Sequence, residues 1–84
     1  MNDEITLRFR PRANLGDVVR ITGPAHVVRR NASGSVVAGM MLDAGAKGIV
    51  IDMGYGMRST LVDFGQGFTG YVSRDACDII DDDV

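Results

Sequence analysis

The sequence predicts one small all-β domain built from short antiparallel strands. Runs rich in valine, isoleucine and threonine recur along the chain, and turns that contain glycine or proline separate them. Within several runs apolar and polar residues alternate, which is the period of a strand with one buried face. A chain of 84 residues is too short for a second independent core, so residues 1–84 are expected to form a single domain.

The N-terminal residues 1–12 are predicted to add a strand to this domain. Apolar side chains alternate with basic or polar ones from Ile5 to Arg10, and Pro11 ends the segment because proline cannot donate to a strand ladder. The apolar side would pack on the domain. The opposite side would present a short basic ridge formed by Arg8, Arg10 and Arg12.

Five further strands are predicted, at residues 17–22, 48–53, 58–64, 67–72 and 77–80. The middle three are separated by Gly54-Tyr55-Gly56 and Gly65-Gln66-Gly67, whose glycines suit tight hairpin turns, so they read as an antiparallel meander. Residues 73–76 predict a single 3₁₀ or helical turn capped by Ser73. Residues 81–84 predict an acidic tail at the end of the chain.

The sequence of residues 33–46 is compatible with a strand, a loop or a helix. Apolar side chains between Val36 and Ala44 follow a near-helical spacing, but Gly39 in the middle disfavours a helix by about 1 kcal/mol. The adjacent pair Val36 and Val37 favours a strand. A strand followed by a turn is the preferred interpretation, and Val27 and Val28 can extend a strand within the loop that precedes it.

The order of these segments resembles the five-strand plan of SH3-like small barrels. The similarity is carried by Gly16–Ile21, a long loop, Ala46–Ile51, Ser59–Phe64 and Tyr71-Val72, which are followed by a single turn and Ile79-Ile80. The glycine and valine pattern between residues 45 and 50 is similar to the KOW-type branch of these barrels. The resemblance implies a barrel with an added N-terminal strand and a role in binding. It implies no particular ligand, because a fold alone does not define a function.

Charge is distributed unevenly along the chain. Residues 1–30 hold six arginines against three acidic residues, whereas residues 31–84 hold three basic residues against eight aspartates. Such a dipolar arrangement can steer an anionic partner or let copies of the chain attract one another. The overall sequence pI near 5.1 argues against general binding to a phosphate backbone.

No group of residues predicts catalysis, a cofactor or a metal site. His26 is the only histidine and Cys77 the only cysteine, and neither stands in a recognisable catalytic pattern, so a loop histidine and a buried structural thiol are expected. No phosphate-binding glycine motif is present. The aspartates at Asp78 and in residues 81–83 do not have the spacing of a calcium loop.

The sequence therefore predicts a non-enzymatic protein-interaction or assembly module, an accessory protein of a bacterium or phage. The alternative is a KOW-like module that binds RNA or a nucleoprotein through its arginines. The partner is expected to be another protein or a second copy, and no signal peptide or membrane span is recognisable, which indicates a cytoplasmic location. The expected partner-binding residues are Arg8, Arg10, Arg12, Arg29, Arg30, Met53, Tyr55 and Met57.

Overall fold

The computed structural model describes residues 12–80, which form one antiparallel sheet of seven strands. The order across the sheet is β3-β2-β6-β5-β4-β1-β7, so β3 and β7 are its two edges. The strands are β1 (Val18–Ile21), β2 (Ala25–Arg30), β3 (Val36–Leu42), β4 (Lys47–Met53), β5 (Ser59–Gly65), β6 (Phe68–Ser73) and β7 (Cys77–Ile79). Single 3₁₀ turns at Tyr55–Met57 and Arg74–Ala76 connect β4 to β5 and β6 to β7.

The predicted all-β class and the central meander are confirmed. Strands β1, β4, β5, β6 and β7 occur where the sequence places them, and the Ser73 hydroxyl accepts a hydrogen bond from the amide of Asp75 at 3.2 Å, as a capping residue does. The predicted strand in residues 1–12 and the acidic tail 81–84 lie outside the described residues, apart from Arg12.

The segment between β1 and β4 departs from the five-strand plan because it is itself a hairpin of the sheet. Strands β2 and β3 pair along their whole length, with Ala25 opposite Leu42 and Val28 opposite Gly39. The turn between them is held by Asn31, whose side-chain oxygen accepts from the amides of Ser33 and Ser35, both at 3.0 Å. The strand-plus-turn interpretation of residues 33–46 is therefore correct.

The sheet curls around a single core. Val19, Val27 and Val62 are completely buried at 0% exposure, and Ile21 is 1% exposed. Residues 12–80 contain no other sheet and no helix longer than the two 3₁₀ turns. Among the described residues the sheet covers its inner face mainly by itself, with Ala13, Ala46 and Ala76 added from the connecting segments, so the strands coil over one another as in a small barrel or a strongly twisted sheet.

The expected core was correct only in part. The sequence predicts that eight large apolar residues include most of the core, with about half of each run fully buried because alternate positions face inward: Ile49, Val50, Ile51, Leu61, Val62, Phe64, Val72 and Ile79. Val50, Val62 and Val72 are buried, Leu61 and Phe64 are half-buried, and the three isoleucines are between 37% and 48% exposed. Successive side chains of a strand point to opposite faces, so an unbroken apolar run cannot lie wholly inside a sheet with one covered face.

Gly70 is the point where the β2–β3 hairpin meets the rest of the sheet. Strand β2 pairs with β6 through Val28 opposite Thr69 and Arg29 opposite Phe68. A Cβ atom at Gly70 would lie 2.5 Å from the carbonyl oxygen of His26 and 2.9 Å from the Val27 Cγ1 atom. Because the nearest atom belongs to the backbone, the two strands can approach this closely only at a residue without a side chain.

We expect Gly70→Ala to lower the free energy of unfolding by about 1–3 kcal/mol, because β2 must move away from β6 to admit the methyl group. Gly23→Ala is the matched control: Gly23 has a negative φ and no atom near its Cβ position, so its effect should stay within about 0.5 kcal/mol. Urea unfolding followed by circular dichroism measures both. Equal stability of the two variants would contradict the close approach.

Candidate interaction surface

The outer face of the sheet carries a groove with an apolar floor. Alternate residues of β2, β4, β5 and β6 point away from the core, with Leu61 directly opposite Tyr71 and Val28 directly opposite Thr69. Together with Ile51 they line a groove of about 440 Å³, and His26 and Arg30 stand at its polar margin. Tyr71 is 62% exposed and Ile51 is 44% exposed, so this apolar surface is open to solvent.

Ile51 faces outward because it follows the buried Val50, and it is also the extra residue of a bulge in β4. Val50 pairs with Val62, but the next pair joins Asp52 to Leu61, which leaves Ile51 as the extra residue in β4. A one-sided antiparallel sheet ordinarily shows polar residues on its solvated face. An apolar groove at this position is therefore typical of a contact surface.

The edge strand β3 is a second exposed apolar feature. Its seven residues, VVAGMML, include no charged residue, and none of them is fully buried. The large side chains Val36, Val37, Met40 and Met41 are between 42% and 60% exposed. A long, uncharged edge strand offers unpaired backbone groups to another chain, and proteins commonly protect such edges with charges, proline or bulges. Strand β3 has no charge and no proline, and its one irregularity is a bulge at Val37, the residue skipped between the pairs Arg29 with Ala38 and Arg30 with Val36.

The opposite edge, β7, is protected by its shortness and by a charge. It has only three residues, and the central one is Asp78. A short edge strand with a charge at its centre offers few hydrogen bonds to a second strand and repels acidic neighbours. Of the two edges of the described sheet, β3 is therefore the one that invites a partner.

The arginines predicted to bind a partner are dispersed, and those described make local contacts. Arg29 stacks its guanidinium on the Phe68 ring, 5.3 Å from the ring centroid, and Arg30 donates through Nη1 to the Gly34 carbonyl at 2.9 Å. Arg12 forms an exposed ion pair of 3.2 Å with Asp75, next to β7 and at the other end of the strand order. Arg8 and Arg10 lie outside the described residues.

The tip between β4 and β5 carries the predicted partner-binding residues Met53, Tyr55 and Met57, and only part of it is exposed. Met53 is half-buried and packs against the core, whereas Met57 is 54% exposed and adopts a positive φ of 58°. Tyr55 belongs to the first 3₁₀ turn, and its side chain is not among those described. The tip therefore divides its residues between the core and solvent.

Arg74 was not singled out by the sequence analysis, yet it joins three segments. Its Nε donates to the Ala13 carbonyl, its Nη1 to the Met57 carbonyl and its Nη2 to the Asn14 side-chain oxygen, each at 3.0 Å. Ala13 is 1% exposed and belongs to the core cluster. The guanidinium thus holds the start of the described chain and the first 3₁₀ turn against the second. Only tertiary contacts reveal this role, because the partners are distant in sequence.

Cys77 is the buried thiol that the sequence predicts. It is 5% exposed, and its Sγ lies 3.6 Å from the Ser73 carbonyl oxygen and 3.7 Å from that of Arg74, to which it can donate. Burial raises the pKa of the Cys77 thiol above its ordinary value of 9.0. A thiol that stays protonated and shielded is a poor nucleophile. His26 is exposed on β2, where its ring lies beside Gly39 of β3.

Within residues 12–80, no group of three or more histidine, cysteine, aspartate or glutamate side chains is arranged to hold a metal ion. The same part of the chain contains no helix of the length and apolarity needed to cross a membrane. Comparison with protein-family models, curated proteins and solved structures found no match. The surface itself is therefore the basis for assigning a function.

We expect Cys77 to react with a thiol reagent such as DTNB far more slowly in the folded protein than in urea, because burial shields the sulfur and keeps it protonated. Since the folded pKa is raised, protonated Cys77 favours the folded state below 9.0, and this contribution is lost as the pH rises above that value. Cys77→Ala should lose less stability than the native protein over that alkaline range. An immediate stoichiometric reaction of the folded protein would contradict the burial.

Proposed function

We propose that the chain is a non-enzymatic protein-interaction module with an SH3-like arrangement of strands. The observation that carries the proposal is the apolar groove on the outer face, where Tyr71 and Ile51 remain exposed beside the half-buried Val28 and Leu61. Exposed aromatic and aliphatic side chains around a shallow depression are typical of the centre of protein interfaces. The groove is the contact surface in this proposal.

The strand order supports the SH3-like part of the proposal. Strand β1 lies between β4 and β7, the strands β4, β5 and β6 form a meander, and a single 3₁₀ turn separates β6 from β7. These elements correspond to the segments that carry the sequence resemblance. The β2–β3 hairpin takes the place of the long loop and joins the far side of the meander through β6.

A protein partner suits this surface better than RNA does. The groove floor is apolar and its only charged lining residue is Arg30, which already donates to Gly34. The other arginines described near the predicted ridge and hairpin, Arg12 and Arg29, are engaged with Asp75 and Phe68. Binding to a phosphate backbone depends on several basic groups that act together.

We expect a photo-crosslinking phenylalanine analogue at Tyr71 to capture one defined protein in a lysate of the producing cells. Leu15 is the matched control position, because it is 61% exposed, about as much as Tyr71, but lies in the turn before β1. Mass spectrometry identifies the adduct at position 71. Excess unlabelled native protein should suppress this adduct, because it competes for the same partner.

Competition by variants then tests whether the groove makes the contact. Leu15→Ser should compete as well as the native protein, whereas the double variant Ile51→Ser with Tyr71→Ser should compete at least about tenfold less well. Both changes are at exposed positions, and circular dichroism checks that folding is intact. An adduct that is equally strong at position 15 would reject the proposal. An adduct that nuclease treatment removes would also reject it and would favour RNA binding.

A further inference from the structure

The exposed edge of β3 is distinct from the groove and points to a particular occupant. We infer that β3 pairs antiparallel with β3 of a second copy, which joins the two sheets into one continuous sheet. This inference deepens the proposed interaction function, since it names a second copy as one partner.

Strand β3 can pair with β3 of a second copy. Strand addition at an edge uses main-chain hydrogen bonds, and a two-fold axis brings the same edge of each copy together in antiparallel orientation. A pairing centred on Gly39, the middle residue of Val36–Leu42, spans the seven residues of both strands, with the bulge residue Val37 near the start of each. It places Gly39 opposite Gly39 and Val37 opposite Met41 of the second copy. No charged side chain of β3 opposes another in this register.

The charges at the two ends of the strand are complementary. Arg30 pairs with Val36 at the start of β3, and its guanidinium reaches across to the Gly34 carbonyl beside that start. Asp43 is exposed directly after the end of β3. In this antiparallel register Asp43 of each copy is opposite Ser35 of its partner, next to the Gly34 carbonyl that holds the Arg30 guanidinium. A parallel pairing would place like charges together.

In the alternative arrangement, β3 of one copy pairs with β7 of the next. That contact is heterologous and would propagate into an open chain of copies. Strand β7 offers only three residues, with Asp78 at its centre, against the seven of β3. The β3 edge therefore gains more hydrogen bonds and more apolar contact from a second β3 than from β7.

We expect the native protein to form a dimer that dissociates on dilution, measured by sedimentation equilibrium. Val37→Lys combined with Met41→Lys should weaken the dimer by at least about 100-fold, because lysines on an edge oppose strand addition. Both side chains are more than half exposed, at 54% and 60%, so circular dichroism should show a folded monomer. Ile79→Lys on the other edge is the control and should leave the dimer intact. Dissociation by Ile79→Lys, or a native monomer at every concentration, would overturn the inference.

A cysteine at the two-fold axis tests the register. Gly39→Cys should give a covalent dimer on oxidation, because directly opposed residues have Cβ atoms about 4.5–5.5 Å apart. The new Cβ would lie 3.4 Å from the His26 Nε2 atom, a side chain that can move. Met41→Cys is the control, since two copies of that residue would be about 13 Å apart along the paired strands. Equal cross-linking of the two variants would overturn the proposed register.

Charge exchange tests the flanking pairs. Asp43→Arg places two cations together at each end and should weaken the dimer about two- to tenfold, the range for exposed pairs. Adding Arg30→Asp to Asp43→Arg restores opposite charges and should recover most of the lost affinity. The effect should diminish at high salt because the groups are exposed. Failure of the double variant to recover affinity would refute the antiparallel arrangement.

The two proposals fail separately. Photo-crosslinking at Tyr71 reports on the groove, whereas sedimentation of the β3 variants reports on the edge, and the lysine variant can be tested in both assays. A native monomer that still yields the competed adduct at Tyr71 would overturn the β3 pairing and leave the interaction function in place. A β3 dimer without a competed adduct would reject the groove as the binding surface and retain the pairing.

Discussion

The close approach of β2 to β6 at Gly70 is the constraint on which the rest of the structure depends. The backbone carbonyl of His26 occupies the space that a side chain at position 70 would need. This contact attaches the β2–β3 hairpin to the meander, so that all seven strands belong to one sheet. Both surfaces considered for function follow from it: the groove lies across the joint between β2 and β6, and β3 becomes the exposed edge.

The curled sheet explains why so many large apolar side chains are exposed. Its core is small and is filled largely by valines and alanines, with Val19, Val27 and Val62 fully enclosed. The interior has no room for both sides of runs such as Ile49-Val50-Ile51, so their alternate members face solvent. The bulge in β4 leaves Ile51 without a paired residue on β5. The same limited core leaves apolar surface available for contacts.

The arginines illustrate how local contacts change the interpretation of a charge pattern. The sequence suggests that Arg12, Arg29 and Arg30 act on a partner. In the fold, Arg29 covers Phe68 and Arg30 closes the hairpin turn, so part of their role is to hold the structure together. Arg74, by contrast, is not distinguished in the sequence from the other eight basic residues, yet it connects three segments. Sequence alone shows how many charges there are and leaves open which groups they meet.

The sequence by itself determined the class of the fold, the positions of β1 and β4 to β7, the Ser73 cap and the buried Cys77. These features depend on local rules: β-branched runs, glycine turns, capping hydroxyls and the burial preference of cysteine. The tertiary structure decided that β2 and β3 form a hairpin on the edge of the sheet, that Ile51 and Tyr71 face a common groove, and that position 70 has no space for a side chain. Those outcomes depend on which strands become neighbours and on which face of each strand is covered. That information lies in contacts between residues far apart in the chain, and no local pattern records it.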